Sequence, residues 1–289
     1  MKISVIGAGR TGTALAVLWQ AAGHGIVAVS GREATRERAA RFLPIVPVMA
    51  APEAARRGEV VVLGVPDDAI SPVCDGLAER GALTEGQTVM HLSGATGLDA
   101  LAAARGAGAS LLSLHPLLTF PDVESALRRI PDCGMALTAE VGADATLALG
   151  ERLAVDAGGR PFRLPDEVKG LYHAAAVFAS NYLIAVTAEA ENLFKAAGLP
   201  DPKELFMPLA RASFENAMAV GPEAALTGPA ARGDAGTVAR NLEALADRAP
   251  DAIPAYVALA RVALDLAQHA DRVTDPQRAA VEEVLARWT

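Results

Sequence analysis

Apolar positions follow two different rhythms along the 289-residue chain. Up to about residue 164, short β-rich runs alternate with stretches of helical period, which predicts strands at 2–6, 26–30, 60–65, 88–92, 111–114, 134–138 and 161–164. Between them the helical pattern covers 11–22, 34–42, 52–57, 70–79, 97–104 and 143–157. Val60-Val61-Val62-Leu63 is apolar at every position, which suits a strand covered on both faces, as in a parallel sheet between layers of helices. Past Pro165 the strand signal stops. One helical run at 167–197, roughly 45 Å long at the standard rise, ends at Gly198 with Pro200 beyond it. Further helices are expected at 202–220, 235–248, 252–270 and 276–288. The pattern therefore predicts a doubly wound, mostly parallel α/β domain over 1–164 and an all-α domain over 165–289.

Composition narrows the partners. With 26 basic against 34 acidic residues the net charge is −8, and no basic run offers a footprint for nucleic acid or an anionic membrane. Cys74 and Cys133 form no CxxC pair and suggest no disulfide framework, so a reduced, cytoplasmic setting is expected. The first apolar stretch runs straight into glycines and does not read as a signal peptide. The most membrane-like segment, 172–188, contains His173, Ser180 and Asn181 and falls short of the roughly 18–20 apolar residues needed to span a bilayer. A buried helix is expected there instead. Its apolar content exceeds what one small domain should cover, which predicts a homodimer through the helical domain.

Gly7-Ala8-Gly9-Arg10-Thr11-Gly12 sits between the first strand and the first helix, the position of a Rossmann dinucleotide fingerprint. Gly7 permits the tight turn, Gly9 the approach of the backbone to a pyrophosphate, and Gly12 close packing of helix on strand. The helix N-terminus offers free N–H groups to phosphate. Where an NAD site usually carries a carboxylate, the second strand ends in Ser30-Gly31-Arg32, and no acid appears until Glu33. Arg32 can fork onto a phosphate and Ser30 can donate a hydroxyl bond, so NADP is the expected cofactor. Two further loops lie at carboxyl ends of strands. Val65 and Pro66 would wall the cofactor, and Ser93 and Gly94 could reach its nicotinamide end; Asp67 and Asp68 read equally well as turn and cap chemistry.

The fingerprint, the "VPDD" loop and the long helix opening a helical domain resemble the 6-phosphogluconate-dehydrogenase-like superfamily. "HLSGATG", "SLHPLLTF", "KGLYHAAAVFASNYL" and "LTGPAARGD" are more closely similar to a bacterial branch of Rossmann-like proteins with a C-terminal helical domain of unknown function. That branch is often assigned to NADP- or F420-dependent oxidoreductases, relatives of pyrroline-5-carboxylate, ketopantoate and prephenate reductases and dehydrogenases. Related dehydrogenases use a lysine and an asparagine on the long helix to hold and protonate the substrate oxygen. The resemblance matches Lys169 to that lysine, although its spacing to Asn181 departs from the usual pattern. In an ideal helix Lys169, His173 and Ser180 fall within about 40° of one another, with Asn181 at the edge of that face. His115-Pro116 resembles the His-Pro of prephenate dehydrogenases, where the histidine takes the substrate's hydroxyl proton; a loop-fixing histidine is the alternative. Arg232, in the loop before a helix that Asp234 can cap, is a candidate for a substrate carboxylate, or for a loop salt bridge. His24, His91 and His269 read as structural, and no trio has metal-ligand spacing, so no metal is expected.

These readings imply an NADP-dependent oxidoreductase moving a hydride to or from a small, carboxylate-bearing carbonyl, imine or secondary alcohol in an interdomain cleft. A non-catalytic NADP(H) sensor or scaffold, and an enzyme pairing deazaflavin F420 with NADP, are the alternatives.

Overall fold

The computed structural model describes residues 1–289. All seven expected strands form: β1 (Lys2–Ile6), β2 (Gly25–Ser30), β3 (Val60–Leu63), β4 (Thr88–His91), β5 (Ser110–Pro116), β6 (Gly134–Ala139) and β7 (Arg160–Arg163). They make one sheet in the order β2-β1-β3-β4-β5-β6-β7, parallel throughout except for the antiparallel pair β5–β6. Helices α1 (Arg10–Ala21), α2 (Glu33–Phe42), α3 (Ala51–Ala55), α4 (Ile70–Glu79), α5 (Ala102–Gly106), α6 (Val123–Arg129) and α7 (Asp144–Asp156) connect them.

The period of two along β3 shows how the sheet is buried. Val60 and Val62 enter one core with Leu15, Trp19, Leu112 and Leu153, while Val61 and Leu63 enter the other with Ile70, Leu77, Leu101 and Leu111. On the first face, Trp19 is fully buried and its indole Nε1 donates to the carbonyl of Leu153 at 2.8 Å, tying α1 to α7. The sequence reading passed over α6. Its signal is Asp122, which caps the helix by accepting from the Ser125 N–H at 2.6 Å.

The chain divides into two compact units, Met1–Ser180 and Asn181–Thr289. The long helical run is in three parts: α8 (Lys169–Val177), a π-turn at Phe178–Tyr182 and α9 (Leu183–Ala196). The division falls inside the π-turn, so α8 stays with the sheet. α10 (Lys203–Val220), α11 (Pro222–Ala225), α12 (Ala235–Arg248), α13 (Ile253–His269) and α14 (Asp275–Ala286) complete the second unit, around a core of Val238, Leu242, Leu264, Val281 and Leu285.

The long run does not meet the expectation of a buried helix. Asp166–Ala196 is long and apolar enough by composition to cross a membrane, yet its most apolar window is not buried at all. Phe178 is 68% and Ile184 64% exposed.

Candidate active site

The glycine loop has the geometry of an anion cradle. Gly7 turns at φ +78°, and a Cβ there would sit 2.4 Å from Val65 Cγ1, so only glycine fits. The N–H groups of Gly7 and Ala8 are both taken by the Ser30 carbonyl. Gly9, the N-cap of α1, provides no side-chain cap, and the N–H groups of Arg10, Thr11 and Gly12 are left free for a ligand. The cradle opens where the strand order reverses between β1 and β3, the usual ligand crevice of such sheets. Arg10 itself reaches away, donating to the Pro121 carbonyl. Arg38 packs behind the loop on the Ala8 carbonyl.

At the end of β2, Ser30 is buried while Gly31 and Arg32 are exposed. Glu33, the nearest acid, pairs loosely with Arg36 at 3.9 Å, and Arg32 has no carboxylate partner. The strand end thus presents a hydroxyl and a guanidinium, with no carboxylate before Glu33.

A second cluster gathers at the carboxyl ends of β3, β4 and β5. Val65 is half-buried against Gly7, and Pro66 and Asp67 are exposed. The Ser93 hydroxyl donates to Asp67 Oδ2 at 2.7 Å, bonds Thr96 Oγ1 at 2.9 Å and accepts the N–H groups of Ala95 and Thr96. Ser93 is thus fully engaged in building its own loop. Asp166, just before α8, accepts the Leu98 N–H and pins the far end of that loop.

Lys169 is neither a snorkelling surface residue nor open to solvent. It is 1% exposed, and its Nζ donates to Ser113 Oγ at 2.8 Å and to the Ser93 carbonyl at 3.3 Å. No carboxylate lies within ion-pair distance, and burial brings its pKa down to about 8. His91 is fully buried beside it: Nδ1 accepts the Ser93 N–H, and burial together with Lys169 lowers its pKa to about 3.

His115, at the end of β5, bonds the Tyr172 hydroxyl through Nδ1 at 2.8 Å. Burial first, then the charge of Lys169, lowers its pKa to about 4, so the ring is neutral at pH 7. His173 is half-buried with an enclosed, unpartnered Nδ1. It keeps the helical phase with Lys169, but Ser180 and Asn181 lie in the π-turn. Within a π-turn each residue advances by less than the roughly 100° of an α-helix, so the ideal phase that put Ser180 and Asn181 on that face does not apply there. In the second unit, Arg232 is exposed without an ion pair beside a hollow of about 340 Å³ that Thr227, Leu226 and Arg272 also line. Sequence reasoning missed Tyr172, Ser113 and the Asp67–Ser93 bond. Only Tyr172 leaves a trace, one turn from Lys169 and beside His173.

Residues 1–116 match the model of the Rossmann-like domain, and residues 134–263 match that of the domain of unknown function DUF2520. The chain is a Rossmann-like protein with a C-terminal DUF2520 domain. The second match begins at β6, the strand at which the sheet turns antiparallel. Among solved structures the chain is similar to Bacteroides fragilis BF3122, provisionally assigned as an NADP oxidoreductase (23% identity, TM-score 0.74, 91% of this chain and 98% of that one). It is also similar to Thermotoga maritima TM1727 (22%, 0.69, 93% and 100%). A third is the Myxococcus stipitatus imine reductase in complex with NADP+ (18%, 0.63, 100% and 99%). At these identities the likeness is one of fold. Among curated proteins nothing matches the chain.

Proposed function

We propose that the chain is an NADP-dependent oxidoreductase acting on a small, carboxylate-bearing carbonyl, imine or secondary alcohol. The observation that carries this is the placement of His115, Tyr172 and buried Lys169 at the same strand ends as the uncapped glycine cradle. The provisional NADP oxidoreductase and the NADP+-bound imine reductase of the same fold support the class. Bound at the cradle, the nicotinamide supplies the hydride. Gly7, Gly9 and the first turn of α1 hold the pyrophosphate, Val65 and Pro66 wall the cofactor, and Arg32 holds the 2′-phosphate. The loop of Ser93 and Gly94 stands beside the reacting end. His115 bonds the substrate oxygen or nitrogen, and Lys169 supplies a fixed positive charge behind it. In the second unit, exposed Arg232 beside its own hollow is the candidate for binding a carboxylate.

The protein works in a reducing compartment, where buried Cys74 and Cys133 stay free, and we place it in the cytoplasm. Apolar side chains of α9 and α10, Ile184, Leu205, Leu209 and Met218 among them, are more than half exposed, which supports a homodimer through the helical unit. The test monitors NADPH oxidation across cyclic imines, ketones and 2-oxo acids. His115→Ala should cut kcat by about 100-fold while NADPH affinity stays within about twofold. Unchanged turnover in both His115→Ala and Lys169→Met would remove the site assignment.

A further inference from the structure

The His115 ring is held on two sides. It lies flat on Gly94, where a Cβ would come within 2.7–2.9 Å of Cε1, Nδ1 and Nε2. Tyr172 meets it edge-on, at 88° with centroids 5.6 Å apart, and its hydroxyl sits 2.8 Å from Nδ1. Phe162 backs the tyrosine edge-on at 6.1 Å. Both partners are neutral at pH 7, since burial also pushes Tyr172 up to about 12. Between a neutral phenol and a neutral imidazole, the phenol is the better donor and the bare ring nitrogen the better acceptor. The Tyr172 O–H therefore donates to Nδ1, and the ring proton sits on Nε2. Nδ1 of His173 is enclosed without a partner, whereas Nε2 of His115 is not so enclosed.

We propose that Tyr172 and His115 form a proton relay, with Nε2–H delivering the proton to a carbonyl oxygen and Tyr172 as its source. This rests on the reductase reading above. As hydride reaches the carbonyl carbon, the C=O π pair moves to oxygen and takes the Nε2 proton. The Tyr172 O–H bond breaks as Nδ1 gains that proton, so the ring ends neutral. The Nδ1 proton then returns to the tyrosinate as water protonates Nε2, which restores the starting tautomer and releases hydroxide. The substrate gains one hydride and one proton, and the reduced nicotinamide is the only reductant. Buried Lys169 disfavours an imidazolium at His115, so the ring passes the proton on rather than keeping it. A neutral imidazole N–H is a weak acid, suited to a strongly basic alkoxide. An iminium arrives already protonated and needs no such donor. The relay thus narrows the substrate class to aldehydes and ketones.

The first readout needs no substrate. Long-range 1H–15N correlations of histidine-labelled protein at pH 7.5 should show His115 with a bare, hydrogen-bonded Nδ1 and a protonated Nε2. Tyr172→Phe should shift the Nδ1 signal and mix the tautomers, and Gly94→Ala should do the same by displacing the ring. A protonated Nδ1 in the wild-type protein, or His115 signals unmoved in Tyr172→Phe, overturns the relay. With NADPH and a panel of ketones and 2-oxo acids, Tyr172→Phe should lower kcat by about tenfold to 100-fold and shrink the solvent isotope effect, with NADPH affinity unchanged. Unchanged kcat overturns the relay alone. Turnover of cyclic imines with none of carbonyls overturns the relay and leaves the reductase reading, whereas turnover of neither, nor of secondary alcohols with NADP+, overturns both.

Discussion

Acid should destabilise the sheet unit through two histidines. His91 is fully buried, facing Lys169 and His115; His115 faces Lys169, His173 and Asp67. Their folded pKa values, about 3 and about 4, lie below the ordinary 6.5. Between pH 6.5 and those values the unfolded chain takes up protons that the folded chain refuses. Stability therefore falls as pH falls through that window and levels off below it. At pH 5 each group has lost about 2 kcal/mol, and the two together about 4 kcal/mol. That is a large share of the 5–15 kcal/mol typical of a domain. Urea unfolding at pH 8 and pH 5, monitored by fluorescence of buried Trp19, measures the loss. His91→Asn keeps an acceptor for the Ser93 N–H but does not titrate, so its loss over the same range should be smaller by about 2 kcal/mol. Adding His115→Asn should bring the difference to about 4 kcal/mol. Carboxylates contribute equally to all three proteins and cancel. A wild-type loss matched by both variants would refute the neutral, buried state assigned to these rings.

Other consequences are as direct. Gly7→Ala puts a Cβ into Val65 at a positive φ, so NADPH binding should fall below detection by fluorescence titration while circular dichroism still reports a folded chain. Trp19→Phe removes the bond to the Leu153 carbonyl and leaves that acceptor buried, so urea unfolding should show about 2 kcal/mol less stability. Leu209→Glu places a charge on the apolar face of α10, and if the proposed homodimer forms there, light scattering should show monomers in the variant against dimers in the wild type.

The elements were legible because their signals are local. Val60–Leu63 reads as a doubly covered strand from composition alone, and Gly7–Gly12 carries its conformational demand in its own residues. Boundaries shifted by a residue or two, as at β5, which runs on into His115 and Pro116. What stayed hidden depends on contacts distant in sequence. The pairing of Ser113 with Lys169 joins residues 56 apart, and Tyr172 meets His115 across 57. No period or spacing marks either. The π-turn was equally invisible, because the ideal phase used for Ser180 and Asn181 assumes an unbroken α-helix. The long helix misled for another reason: apolar content reports a need for cover without saying what provides it.

The central claim is that the glycine cradle and Arg32 hold NADP(H). Titration of the purified protein with NADPH and separately with NADH, read by nicotinamide fluorescence, tests it most directly. Binding of NADPH at least about tenfold tighter than NADH, with that preference lost in Arg32→Ala, is the predicted result. Equal affinity for both, or no binding of either, would contradict it.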